Sequence, residues 1–105
     1  MKIVMHEADR FGLVAFADAN DLIMEIHERV FAGLGARWTE DERYYAHFKD
    51  CEIRERGCIF GEYGNGATPE AAMRDYARRI SGKLLVVDAW LNSRREITVP
   101  LLTNE

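Results

Sequence analysis

Three histidines, two cysteines and a glycine-rich turn are the residues of this 105-residue chain whose types and spacing could do chemistry. An imidazole titrates near neutral pH, so His6, His27 and His47 could each move a proton or hold a metal. Either role needs a second ligand or an orienting group close by. His27 has Glu28 beside it, but no second ligand four residues away on what the periodicity predicts to be a helix. No catalytic, cofactor or metal residue is assigned on that basis. Cys51 and Cys58 match neither a C-x-x-C pair nor a zinc spacing. Alternation puts both on the apolar side of a predicted hairpin, beside Ile53 and Phe60, where free cysteine acts as a small hydrophobe. Glu40, Asp41 and Glu42 could hold a cation, yet consecutive acids at a helix start already complement its dipole.

Gly64-Asn65-Gly66-Ala67-Thr68-Pro69-Glu70 carries a different chemistry. A G-x-G turn ahead of a helix can cradle a phosphate through backbone amides. A dinucleotide site would add a third glycine and a later acidic residue, and Pro69 removes one of the amides. Turn and cap account for every residue here. The glycines allow the chain to reverse, Thr68 caps the helix, Pro69 suits its first position and Glu70 complements its dipole. Trp38, Tyr44, Tyr45 and Phe48 could stack on bases, but their neighbours are mainly acidic, which favours core packing or a protein interface. The one basic region is Arg74, Arg78, Arg79, Lys83, Arg94 and Arg95. It is the candidate interaction surface, for an acidic partner or a phosphate backbone.

The elements that must position these residues follow from periodicity. Lys2–His6 reads as a short strand, and Phe11–Phe16 fits either a buried strand or the approach to a helix. Asp18–Leu34 reads as the first helix, capped by Asp18, with Ile23, Ile26, Val30 and Leu34 as its apolar stripe and Gly33 and Gly35 at its end. Thr39 and Glu42 match a capping box, so Trp38–Phe48 is expected to begin as a helical turn and become strand near Phe48. Cys51–Tyr63 reads as a hairpin turning at Glu55-Arg56-Gly57. The second helix runs from Thr68 to Ile80 or Ser81, burying Ala72, Met73, Tyr76, Ala77 and Ile80, and Gly82 ends it. Leu84–Trp90 reads as a covered central strand. Arg95–Leu101 alternates with Ile97, Val99 and Leu101 inward, and Pro100 places it at an edge. The expected fold is α+β: an antiparallel-rich sheet with two main helices on one face, in the order (β)-α-β-β-α-β-β, as a single domain over residues 1–105.

Hydrophobic residues make up 48% of the chain and charged residues 30%, which excludes a disordered segment. A net charge of −4 works against generic nucleic-acid binding. No apolar run reaches membrane-spanning length, and the N-terminus lacks a signal-peptide core before its first charges. The expectation is a cytoplasmic protein in a reducing compartment, with no membrane association.

The stretch GNGATPEAAMRDYARRISGKLLVVDAW, followed by RREITVP, resembles a group of small uncharacterised proteins of tailed phages and prophages. The likeness lies in G-x-G-x-T-P-E-x-A, the aromatic at Tyr76, the I-S-G-K turn at Ile80–Lys83 and the paired C-terminal strands, and it covers Tyr44 to Leu101. It implies a phage-derived protein in the host cytoplasm and no particular activity. A fainter likeness to HicB-type antitoxin domains rests on Gly66, Thr68, Glu70 and Ala71. The second acidic position of that pattern is filled by Ala71 or Ala72, and a DNA-binding segment after Leu101 is not expected.

These readings lead to a non-enzymatic protein-interaction module or host-factor inhibitor that needs no cofactor. Its partner is expected to be a protein, and a homodimer through the exposed C-terminal strand is a second expectation. The alternative is a nucleic-acid-binding module using the arginine-rich face of the second helix.

Overall fold

The computed structural model describes residues 12–29 and 40–102. Within them lie two helices and seven strands in two antiparallel sheets, an α+β fold. The three-stranded sheet has the order β1 (Met24–Glu28), β2 (Tyr44–Phe48), β5 (Gly64–Gly66). The four-stranded sheet has the order β4 (Cys58–Phe60), β3 (Cys51–Glu55), β6 (Leu84–Val87), β7 (Arg95–Thr98). Lys49–Asp50 is the corner where the chain passes from one sheet to the other. Asp50 takes a left-handed φ of 59° there, and its carbonyl accepts the Asp88 N–H.

The N-terminal elements depart from the sequence reading. Residues 13–16, for which strand and the approach to a helix both stood open, begin helix α1 (Leu13–Ala19), which buries Leu13, Val14, Phe16 and Ala17. A short apolar run fits a buried helix as well as a strand, and three alanines tip this one to helix. Asp18, expected to start a helix, lies in the last turn of one. The stop is a Schellman arrangement: Leu22 N–H donates to Ala17 O at 2.9 Å across Asp21, which is left-handed at φ 57°. Beyond it Leu22, Met24 and Ile26 alternate inward, so the expected helix over Asp18–Leu34 is a strand from Met24 to Glu28. Its expected end at Gly33 and Gly35, the Lys2–His6 strand and Trp38 lie outside the described residues.

The rest of the chain follows local signals closely. Glu40–Glu42 forms a 3₁₀ turn, but strand begins at Tyr44 and ends at Phe48, earlier than the expected start near Phe48. Arg56 and Gly57 both have positive φ, 54° and 81°, the pattern of a two-residue type I′ turn between β3 and β4. Thr68 caps α2 (Pro69–Ile80), accepting the Ala71 N–H at 3.1 Å, with Pro69 in the first turn. The five apolar residues expected on its buried face are all buried. Two strand ends are corrected. β6 stops at Val87, where Asp88 turns left-handed, so Trp90 is not covered. Leu101, expected inward, is exposed, whereas Val99 is buried.

The core lies between the helices and the inner face of the three-stranded sheet, and continues onto the four-stranded one. Phe48 is its pivot: Tyr76 of α2 meets its ring edge-to-face at 5.3 Å and Phe16 of α1 lies 6.2 Å away. The Tyr76 hydroxyl accepts the Phe48 N–H at 3.2 Å, and burial pushes that phenol well above its ordinary pKa. Gly64 and Gly66 have no positive φ. Their role is close approach rather than reversal. A Cβ on Gly64 would overlap the Ala72 carbonyl and stand 2.6 Å from Tyr76 Cα, and one on Gly66 would stand 2.5 Å from Ala72 N. Among the described residues no helix is long and apolar enough to cross a membrane.

Candidate functional site

The expected basic surface is dispersed and largely neutralised. Arg78 and Arg79 both bond the Asp75 carboxylate, and Arg79 also lies 3.8 Å from Glu62. Lys83 is 3.6 Å from Glu55, Arg94 is bonded to Glu96, and Arg95 donates to Asn20 O at 2.7 Å. Arg74 is exposed. The register pairs Leu84 with Thr98 and Val87 with Arg95, so Lys83 and the Arg94–Arg95 pair stand at opposite ends of the β6–β7 hairpin.

The glycine turn is similarly occupied. The Asn65 N–H donates to Asp75 Oδ2 at 2.8 Å and the Ala71 N–H to Thr68. Two amides that a phosphate at this turn could use are thus already taken. The cysteines separate in environment. Cys51 is buried, its thiol donates to Lys49 O at 3.3 Å, and burial, aided by Glu52, Asp50 and Asp88, pushes its pKa up to about 12. Cys58 points to the same side of the sheet, opposite Glu55 at the hairpin end, but there the core has run out and it is exposed.

Two features that the sequence reading missed stand out. The first is the loop after β6. Trp90 is 79% exposed and Leu91 63% exposed. The loop that carries them is tightly bonded: Asp88 N–H to Asp50 O at 2.9 Å, Leu91 N–H to Asp88 O at 3.0 Å, Arg94 N–H to Leu91 O at 3.1 Å, and Ser93 Oγ to Asp88 Oδ2 at 2.9 Å. Beside the tryptophan is a shallow depression of about 170 Å³ bordered by Asp50, Glu52 and Asp88. A large apolar pair is therefore held rigidly in solvent against an acidic rim.

The second is the outer face of the three-stranded sheet. Glu25 lies opposite His47, His27 opposite Tyr45, and Tyr45 opposite Asn65. Alternation sends all of these side chains away from the helices. One carboxylate oxygen, Glu25 Oε1, is 3.6 Å from His27 Nε2 and 3.8 Å from His47 Nε2. The rings of His27, Tyr45 and His47 stack side by side within 22° of parallel, and Tyr63 meets His47 and Tyr45 edge-on. Arg29 covers the Tyr45 ring at 4.6 Å, held by Glu42 O and Asn65 Oδ1. The ring faces are spent on one another, which leaves little platform for nucleic-acid bases. Reading Met24–Glu28 with period two would have put Glu25 and His27 on one face; the helical period hid that pair.

Comparison of the chain with protein-family models, with curated proteins and with solved structures finds no match in any of the three.

Proposed function

We propose that the chain is a non-enzymatic protein-binding module whose anchors are Trp90 and Leu91. The observation that carries this reading is a tryptophan 79% exposed on a loop closed by its own hydrogen bonds. Tryptophan is enriched among the few residues that dominate interface energies, and a rigid loop leaves little entropy to lose on docking. Asp50, Glu52 and Asp88 around it select a partner whose apolar pocket is rimmed by Lys or Arg. The resemblance of residues 44–101 to small phage proteins supports a host or phage protein as the target, met in the host cytoplasm, with inhibition as the consequence.

The test is a side-by-side capture from bacterial lysate with the wild type and Trp90→Ala as baits. A partner retained by the wild type and lost by the variant supports the reading, and equal retention by both sinks it. Light scattering on the same samples reports self-association through the edge strand β7. The nucleic-acid alternative predicts a gel shift that weakens steeply with salt. The ion pairs that occupy Arg78, Arg79, Lys83 and Arg94 weigh against it.

A further inference from the structure

Glu25, His27 and His47 offer one carboxylate oxygen and two imidazole nitrogens that all lie within 4.8 Å of one another. Three potential donor atoms grouped this closely could share a cation or a proton. The His47 ring is already set for the former. Its Nδ1 lies 3.0 Å from the Phe48 carbonyl, which can only accept, so Nδ1 donates there and Nε2 is the nitrogen that faces Glu25. A ring nitrogen tied to a backbone carbonyl is the usual outer partner of a metal-binding histidine. The backbone of the site is equally set. All three residues sit on the paired strands β1 and β2, with Glu25 directly across from His47 and two residues before His27. Ligands at about 2.05 Å in a tetrahedron stand about 3.3 Å apart. The 3.6 and 3.8 Å separations are within about half an ångström of that, and closing the site requires the His27 ring, with 41% of its side chain exposed, to tilt out of its stack with His47.

We propose that Glu25, His27 and His47 form a site for a divalent first-row transition ion, with Zn²⁺ as the reference ion. The mixed N,N,O donor set suits Zn²⁺, Co²⁺ or Ni²⁺ and is a poor match for Ca²⁺ or Mg²⁺, which prefer oxygen ligands. Three protein ligands on a solvent-facing sheet leave the fourth position to water or to a ligand brought by another molecule. The ion cross-links the edge strand β1 to β2.

The experiment is titration of the metal-free full chain with Zn²⁺ and with Co²⁺, followed by calorimetry and by the visible spectrum of Co²⁺. Saturable 1:1 binding is expected, with no thiolate-to-cobalt band. His27→Ala, His47→Ala and Glu25→Gln should each weaken it by more than about 10-fold, the lower bound set by what loss of even an outer partner does. Cys58→Ser should leave it unchanged. NMR of the wild type, which does not depend on any variant folding, should show two of the three histidine rings shifting with Zn²⁺. No saturable binding by the wild type, binding indifferent to the three substitutions, or binding lost in Cys58→Ser would overturn the proposal.

Discussion

Asp75 on α2 accepts the backbone N–H of Asn65 on β5 at 2.8 Å, so a helix carboxylate closes the outer edge of the three-stranded sheet. An open edge is a template for unwanted pairing, and here its donor is taken by an acid that also holds Arg78 and Arg79. Asn65 uses its side chain at the same time to accept from Arg29, which covers Tyr45 on the outer face. The contact that seats the helix thus also helps to hold the outer surface.

Asp75 should shape the acid limb of the stability curve. Burial pushes its carboxyl up, but the Asn65 N–H and the guanidinium groups of Arg79 and Arg78 outweigh that and hold it below 3.8. The unfolded chain then binds the proton more readily than the folded one. The contribution is complete well above pH 3.8 and is lost as the pH falls through that value toward the lower folded-state one. Asp75→Asn is expected to cost about 1 to 2 kcal/mol at pH 7, with the gap from wild type narrowing toward pH 3. Urea unfolding at several pH values measures it, and a gap constant with pH would contradict the assignment.

Gly64→Ala should destabilise by about 3 kcal/mol or more, because the added methyl meets backbone atoms of α2 rather than side chains that could move. Gly57→Ala, with nothing within 4 Å but a φ of 81°, isolates the cost of backbone conformation alone and should lose about 1 kcal/mol. Thermal or urea unfolding ranks the two. A milder effect at Gly64 would mean that the helix does not press on β5.

Tyr76→Phe keeps the ring against Phe48 and leaves the Phe48 N–H without an acceptor in the core. A loss of about 1 to 3 kcal/mol is expected, with the fold retained by circular dichroism.

Alkylation should separate the cysteines. At pH 8 iodoacetamide is expected to label Cys58 and spare Cys51, whose thiol is buried and stays protonated up to about pH 12. Peptide mass mapping reads the result, and equal labelling of the native protein would show that Cys51 is not enclosed.

Trp90→Ala should leave the unfolding free energy within about 0.5 kcal/mol of wild type, because the side chain stands mostly in water. A large destabilisation would place Trp90 in the folding core rather than on a binding surface.

The second half of the chain was legible because its signals are local. Thr68 and Pro69 open α2 through a cap only three residues long, and Arg56-Gly57 turns a hairpin by its own backbone preference. The first half misled because Ile23 and Ile26 satisfy a helical period while Leu22, Met24 and Ile26 satisfy a strand period. Nothing within those residues chooses between them. Trp90 was lost for a related reason: LLVVDAW reads as one apolar strand, and the left-handed turn at Asp88 that ends it depends on a bond to Asp50, far back in the chain.

What the sequence by itself determined was the α+β class, the β3–β4 hairpin and the capped second helix, since caps, turns and apolar periods act over a few neighbouring residues. Only the tertiary structure decided that residues 24–28 pair as a strand with residues 44–48, and therefore that Glu25, His27 and His47 meet. Strand pairing is chosen by backbone partners and by the burial of Leu22 and Met24 across some twenty residues, and no local propensity carries that information.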